Sequence, residues 1–250
     1  MPVIAAAVGL TVLGSLGGLA IASLLLLLKP RTRSNLVPGL ISYAVGTLLG
    51  VALLALLPEA LITLEATAVS GTLLAGILVF FLLEKFIIWR HCHDDNCDVH
   101  DQSSPSTRGG AGLVLVGGAL HSFADGAIIG AAAISSIPLG ISTTLAVAAH
   151  QVPQEVGDLA ILLGAGYSKR QALLLNALAA ATGILGAVAV YAASGWLPRA
   201  MPYVLAFAAG NFLYVAMSDL IPGLHRGTID VGATRQVLLI TAGISTALFL

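Results

Sequence analysis

Charge is the scarcest property of this chain. Only 9% of its 250 residues are Asp, Glu, Lys or Arg and 58% are hydrophobic, whereas about a quarter of an average soluble domain is charged. Cysteine is scarce too, since only Cys92 and Cys97 occur, close together in one polar loop, so no disulfide framework is predicted. These shortages exclude a disulfide-bonded secreted module and indicate a polytopic membrane protein.

Several functional signatures are also missing. The sequence has no phosphate-binding P-loop and no soluble nucleotide domain, which favours a secondary carrier over a nucleotide-driven pump. It has no H-E-x-x-H helix, so an intramembrane metalloprotease is not favoured and we expect no enzymatic activity. No charged segment precedes the first apolar run, which is therefore predicted to be a spanning helix rather than a signal peptide.

Eight apolar runs approach or exceed the roughly 20 residues that a helix needs to cross a bilayer. The sequence thus predicts an all-α membrane protein with one transmembrane domain over residues 1–250 and a polar loop at about 91–110. The predicted spans are residues 3–28, 36–61, 69–90, 111–134, 139–166, 170–194, 200–224 and 233–250.

The basic residues predict an orientation. All of them except Arg199 flank the loops that follow the odd-numbered spans. Because cytoplasmic loops are enriched in Lys and Arg, both termini are expected outside. A weak repeat relates residues 46–58 to residues 210–222, with Gly46, Val51 and Pro58 matching Gly210, Val215 and Pro222. Since these two spans run in opposite directions, an inverted repeat is predicted, although shared apolar composition is an equally good explanation.

The fourth and fifth spans carry the chemistry. They read H-S-F-A-D-G at 121–126 and H-Q-V-P-Q-E-V-G-D at 150–158, and ionisable residues inside a span indicate a functional site. His121 and Asp125 are four residues apart, so they share one helix face at about 6 Å and can hold one cation. Gly126 leaves room for a neighbouring helix.

The fifth span adds further ligands. His150 and Gln154 are also four apart, and a kink at Pro153 is expected to bring Glu155 closer to His150. Imidazole with carboxylate suits zinc and similar divalent ions better than calcium or magnesium. Because the histidines must be neutral to bind metal, affinity should fall below about pH 6. A single buried His or Asp is as often an interhelical hydrogen-bonding partner, but four such groups together favour a metal site.

The roles of several other polar residues can each be interpreted in more than one way. Glu59 either lines an entrance or is a solvated carboxylate. Asp158 and Asp219 are path residues, structural pins or partners for each other. The segment 91–100 is interpreted either as a cytosolic metal relay or as a solvated loop. Its metal-binding candidates are His91, Cys92, His93, Cys97 and His100.

These motifs resemble the ZIP family of divalent metal transporters. The likeness covers most of the chain, including L-L-P-E-A-L in span two and G-x-F-L-Y-V-A-x-S-D-L-I-P in span seven, and is strongest to the branch whose fifth span typically reads H-E-x-P-H-E-x-G-D. It implies two three-helix repeats around spans four and five, an elevator-like uptake of metal into the cytoplasm, and a homodimer. It also implies a primary site formed by His121, Asp125, His150 and Gln154, with Glu155 beside it.

Several departures from the family pattern predict a single metal. Span two has Val51 and Ala55 where the family commonly has an acidic residue and a histidine, and span six has no carboxylate. Ser122 stands where the family usually has Asn, Gln151 where it has an acidic residue, and Gln154 where this branch has a second histidine. Ser122, Gln151 and Asp158 mark accessory or second-site positions. The ligand set is thinner than in two-metal members, so the alternative function is a non-transporting metal sensor or a transporter relic.

The expected partners are therefore a divalent ion such as zinc, iron, manganese or cadmium, the lipid bilayer and a second copy of the chain. No resident cofactor and no nucleic-acid partner are expected. The short chain favours a prokaryotic plasma or inner membrane.

Overall fold

All regular structure is helical in the part of the chain that the computed structural model describes, residues 2–91, 108–195, 198–224 and 231–248. Each predicted span overlaps one helix. Six helices are long and apolar enough to cross a membrane by length and composition, and α5 and α8 are not among those six. The helices are α1 (Pro2–Leu26), α2 (Pro30–Val51, continued by Ala52–Leu56 and Leu57–Leu61), α3 (Ala66–His91), α4 (Arg108–Ser135), α5 (Ile137–Gly164), α6 (Lys169–Ser194), α7 (Met201–Tyr214, continued by Val215–Leu220 and Ile221–Leu224) and α8 (Val231–Leu248).

The helices pack as two groups. In the first group α4 packs along α6 and α1 along α5, and in the second α2 packs along α8 and α3 along α7. Glycines allow these close approaches, because a Cβ at Gly126 would overlap the carbonyl oxygen of Gly183. In the second group, Gly46 lies against Gly243 and Gly210 packs against Gly76 in the same way. Small residues at such crossings are typical of helices that associate in membranes.

The outer surface is apolar. Large side chains are exposed on most of the helices, as expected of an integral membrane protein whose perimeter faces lipid. Examples are Leu13, Leu24, Leu74, Leu82, Leu178 and Leu238.

Two helices widen into a π-helical turn directly before a proline. In α2 the turn is Ala52–Leu56, and the N–H of Leu57 donates to the carbonyl of Ala52, five residues back. In α7 the turn is Val215–Leu220, and the N–H of Ile221 donates to the carbonyl of Ala216. Pro58 and Pro222 follow, and a proline has no N–H with which to continue the α-helical pattern. The repeat noticed in the sequence therefore has the same backbone feature at matching positions.

Candidate metal centre

Three side chains from α4 and α5 meet inside the first helix group. The Nε2 atoms of His121 and His150 lie 3.2 Å apart, and each is 3.3 Å from Oδ2 of Asp125. His121 and Asp125 stack one turn apart on α4, as their spacing predicts. His150 approaches them from α5, so the site spans two helices.

The spacing of these three atoms suits a tetrahedral ion. Zinc binds His nitrogen and carboxylate oxygen at about 2.0–2.2 Å, which places neighbouring ligands of a tetrahedron roughly 3.3–3.6 Å apart. The observed 3.2–3.3 Å lies at the short end of that separation. An ion could thus contact all three atoms with almost no rearrangement of either helix.

The carboxylate of Asp125 places a buried negative charge beside the two imidazoles. Its side chain is fully buried, and the ion-pair partners of its carboxylate among the described residues are the two imidazoles, each with its Nε2 atom 3.3 Å from Oδ2. A buried carboxylate is costly unless a cation or hydrogen bonds compensate it. A divalent cation between Asp125 and the two imidazoles would supply that compensation.

A backbone carbonyl orients His150. Its Nδ1 lies 3.0 Å from the carbonyl oxygen of Ala146, and because a carbonyl only accepts, Nδ1 is the donor. In a neutral ring the lone pair is then on Nε2, the atom that faces Asp125. The ring edge also packs against Phe212 of α7. Such outer partners fix the tautomer and the orientation of metal-binding histidines.

The site opens on one side into a cavity of about 370 Å³. His121, His150 and Gln154 line it, and most of the remaining wall is apolar, including Phe80 and Val215. Gln154 thus lies on the wall of the same cavity as the two histidines. An ion in the three-ligand cluster would be reached from this cavity.

Glu155 lies in a different contact network. Its Oε1 accepts a hydrogen bond from the amide of Gln151 at 3.1 Å, and its Oε2 accepts one from the amide of Asn176 on α6 at 2.7 Å. The Gln151 amide also approaches the hydroxyl of Ser122 at 3.5 Å. Ser122, Gln151, Glu155 and Asn176 are all buried, and we call these four residues the amide cluster.

Helix geometry explains the separation of Glu155 from the histidines. Five residues at 3.6 per turn place His150 and Glu155 roughly 140° apart around a straight helix. The sequence predicts that Pro153 narrows this angle, but α5 continues through Pro153 as an α-helix from Ile137 to Gly164. Glu155 therefore reaches α6, whereas His150 reaches α4.

The remaining predicted residues lie outside the three-ligand cluster. Asp158 is half-buried beside Gly118 of α4. Glu59 is half-buried in α2 just after its π-helical turn, and Asp219 lies in the π-helical turn of α7. His91 ends α3, and the other loop candidates, Cys92, His93, Cys97 and His100, fall outside the described residues.

Sequence reasoning overlooked Asn176. The sixth span contains no carboxylate, and Asn176 is an amide in an otherwise apolar run. A buried Asn in a membrane helix needs partners as a carboxylate does, because its amide cannot be hydrated there. An isolated Asn in L-L-L-N-A-L was therefore an available signal.

Long apolar helices that place the half-buried His121 beside the buried Asp125 and His150 define a helical membrane protein with a candidate metal site. The family model described as ZIP Zinc transporter matches residues 89–250. The human protein named Zinc transporter ZIP4 is 46% identical over 112 residues, which cover 45% of this chain and 17% of that protein. Zinc transporter ZIP13 of Pongo abelii is 32% identical over 221 residues, covering 82% of this chain and 64% of that protein. The chain belongs to the ZIP zinc transporter family, as the sequence motifs predicted.

Proposed function

We propose that this chain carries a divalent transition-metal ion, zinc foremost, across the membrane and binds it at His121, Asp125 and His150. The observation that carries the proposal is the fully buried Asp125 carboxylate, whose Oδ2 atom lies 3.3 Å from the Nε2 atoms of two histidines. The names of the relatives, all zinc transporters, support the choice of ion. Gln154, on the cavity wall, is proposed as a weaker fourth ligand or as a residue on the ion's path.

One ion per chain is proposed. A second ion beside the first would need Ser122, Gln151 and Glu155 as ligands, but both carboxylate oxygens of Glu155 already accept hydrogen bonds from amides. Gln151 is neutral and brings no charge to offset that of a second cation. The amide cluster then serves to hold α5 against α4 and α6.

We further propose eight spanning helices in a 3+2+3 arrangement, with α1–α3 and α6–α8 as inverted repeats around α4 and α5 and both termini outside. The matching π-helical turns in α2 and α7 support the repeat. So do the equivalent glycine contacts, Gly46 with Gly243 and Gly210 with Gly76.

The mechanism proposed is alternating access by an elevator-like movement, with uptake into the cytoplasm. Both ligand helices belong to the first helix group, in which glycine contacts join α4 tightly to α6. A group packed in this way can move as one body against α2, α3, α7 and α8 while its ligands keep their geometry. A homodimer and a location in the plasma or inner membrane remain predictions.

Zinc flux into proteoliposomes tests the proposal. The wild-type chain should accumulate zinc, whereas Asp125→Asn, which keeps the shape and removes the charge, should lose at least about 90% of the initial rate. Glu65→Gln is the matched control, because Glu65 is an exposed carboxylate at the start of α3. Normal flux through Asp125→Asn would refute the site, and zinc binding without flux in the wild type would favour the metal-sensor alternative.

A further inference from the structure

A second cavity lies at the end of the bundle where α1 ends and α6 begins. It has a volume of about 170 Å³ and lies between α1, α2, α5 and α6. Its walls are mainly leucine and alanine from α1, α5 and α6, and two cations, Arg33 of α2 and Lys169 of α6, complete the lining. It shares no lining residue with the metal cavity.

The two cations have no acidic counterpart nearby in the sequence. Residues 1–58 and 159–218 contain neither Asp nor Glu, and neither Arg33 nor Lys169 forms an ion pair among the described residues. An anion that also has an apolar part would match both the two positive charges and the apolar walls. A free inorganic anion satisfies only the first requirement.

We propose that this cavity binds an anionic phospholipid, with the headgroup phosphate between Arg33 and Lys169 and the glycerol end of the acyl chains against the leucines. Basic pockets between membrane helices bind such headgroups, and the planar guanidinium of Arg matches phosphate oxygens in bidentate fashion. The volume equals that of about six water molecules, enough for a phosphate and its first carbons. The chains would continue over exposed leucines such as Leu24 and Leu173.

Arg33 and Lys169 belong to different helix groups, so a lipid bound here contacts both groups at once. The binding itself does not depend on the metal site or on transport. Its failure would therefore leave the proposed function untouched.

The test uses the full-length chain in a neutral detergent, where no charged bilayer surface adds attraction. Native mass spectrometry would compare binding of phosphatidylglycerol and phosphatidylcholine to the wild type, to Arg33→Gln/Lys169→Gln and to Arg31→Gln/Arg170→Gln. The last variant removes the same charge from exposed neighbours that do not line the cavity. We expect the wild type to prefer phosphatidylglycerol, the cavity variant to lose about tenfold or more in affinity, and the control to lose less than twofold.

Equal losses in the two double variants would overturn the proposal, because they would show diffuse charge attraction rather than a site. Release of the lipid by millimolar inorganic phosphate alone would also overturn it, since the site would then recognise a free anion. An unchanged thermal unfolding midpoint of the cavity variant in detergent, followed by circular dichroism, verifies that it is folded.

Discussion

Replacing Asp125 by Asn should have two opposite effects, one on the metal-free protein and one on zinc binding. The side chain is fully buried, and its ion-pair partners among the described residues are two histidines. At pH 8, where ordinary imidazoles are neutral, the metal-free wild type holds a carboxylate with little compensation. The isosteric amide removes that charge, so metal-free Asp125→Asn should be more stable by about 1 kcal/mol or more.

The effect on zinc follows from linkage. Loss of an outer partner of a metal ligand costs about 10–100-fold in affinity, so loss of the only charged ligand in the cluster should cost at least about 100-fold. At free zinc of 100 times the wild-type Kd, the wild type gains about 2.7 kcal/mol, while a site weakened 100-fold gains only about 0.4 kcal/mol. Thermal denaturation in detergent, followed by circular dichroism with and without zinc, measures both quantities.

Two results would refute this reasoning. If zinc stabilises Asp125→Asn as much as the wild type, Asp125 is not a ligand. If the metal-free variant is several kcal/mol less stable, the carboxylate is a structural pin between α4 and α5, the interpretation that a lone buried Asp would ordinarily receive. Glu65→Gln should change both quantities by less than about 0.5 kcal/mol, because its side chain is exposed.

The remaining predictions concern stoichiometry, geometry and packing. Calorimetric titration should find one tight zinc site per chain, and two tight wild-type sites would contradict this. Glu155→Gln should keep one site but lose about 1–3 kcal/mol of stability, because an NH2 group replaces one of the two oxygens that accept from the neighbouring amides. X-ray absorption should show zinc bound at about 2.0–2.2 Å by four ligands including two imidazoles, and a six-coordinate ion would contradict the tetrahedral spacing. Gly126→Ala should lose about 1–3 kcal/mol of stability, because the added Cβ overlaps the Gly183 carbonyl. Gly157→Ala has open space around the added Cβ and should be neutral or up to about 1 kcal/mol more stable. Equal effects of the two substitutions would refute the packing argument.

The sequence predicted what depends on spacing within one helix. The pairing of His121 with Asp125 follows from a separation of four residues, and Gly126 was recognised as the place for a neighbouring helix, which is α6. The helices themselves follow from long apolar runs, because a bilayer leaves the backbone no other way to satisfy its hydrogen bonds locally.

The sequence could not predict the rotation of one helix against another. Whether His150 or Glu155 faces α4 depends on how α5 is turned in the bundle, and that angle is set by contacts with α1, α4 and α6 together. Pro153 suggested a kink large enough for both, but the helix absorbs the proline without a break. Asn176 is the partner that holds Glu155 toward α6, and no motif in the sequence indicates this contact.

The π-helical turns bear on the position of the metal centre independently of ligand chemistry. Leu, Ala and Val recur by chance in any two membrane helices, but they do not impose a hydrogen bond from residue i to residue i−5 directly before a proline. That bond occurs at Leu57 in α2 and at the aligned Ile221 in α7, which favours common descent of the two segments over shared composition. Transporters built from inverted repeats hold their ions between the repeats, near the middle of the bilayer. In the proposed arrangement α4 and α5 are the pair between the repeats, the same pair that carries His121, Asp125 and His150, and the α7 turn supplies Val215 and Leu220 to the wall of their cavity.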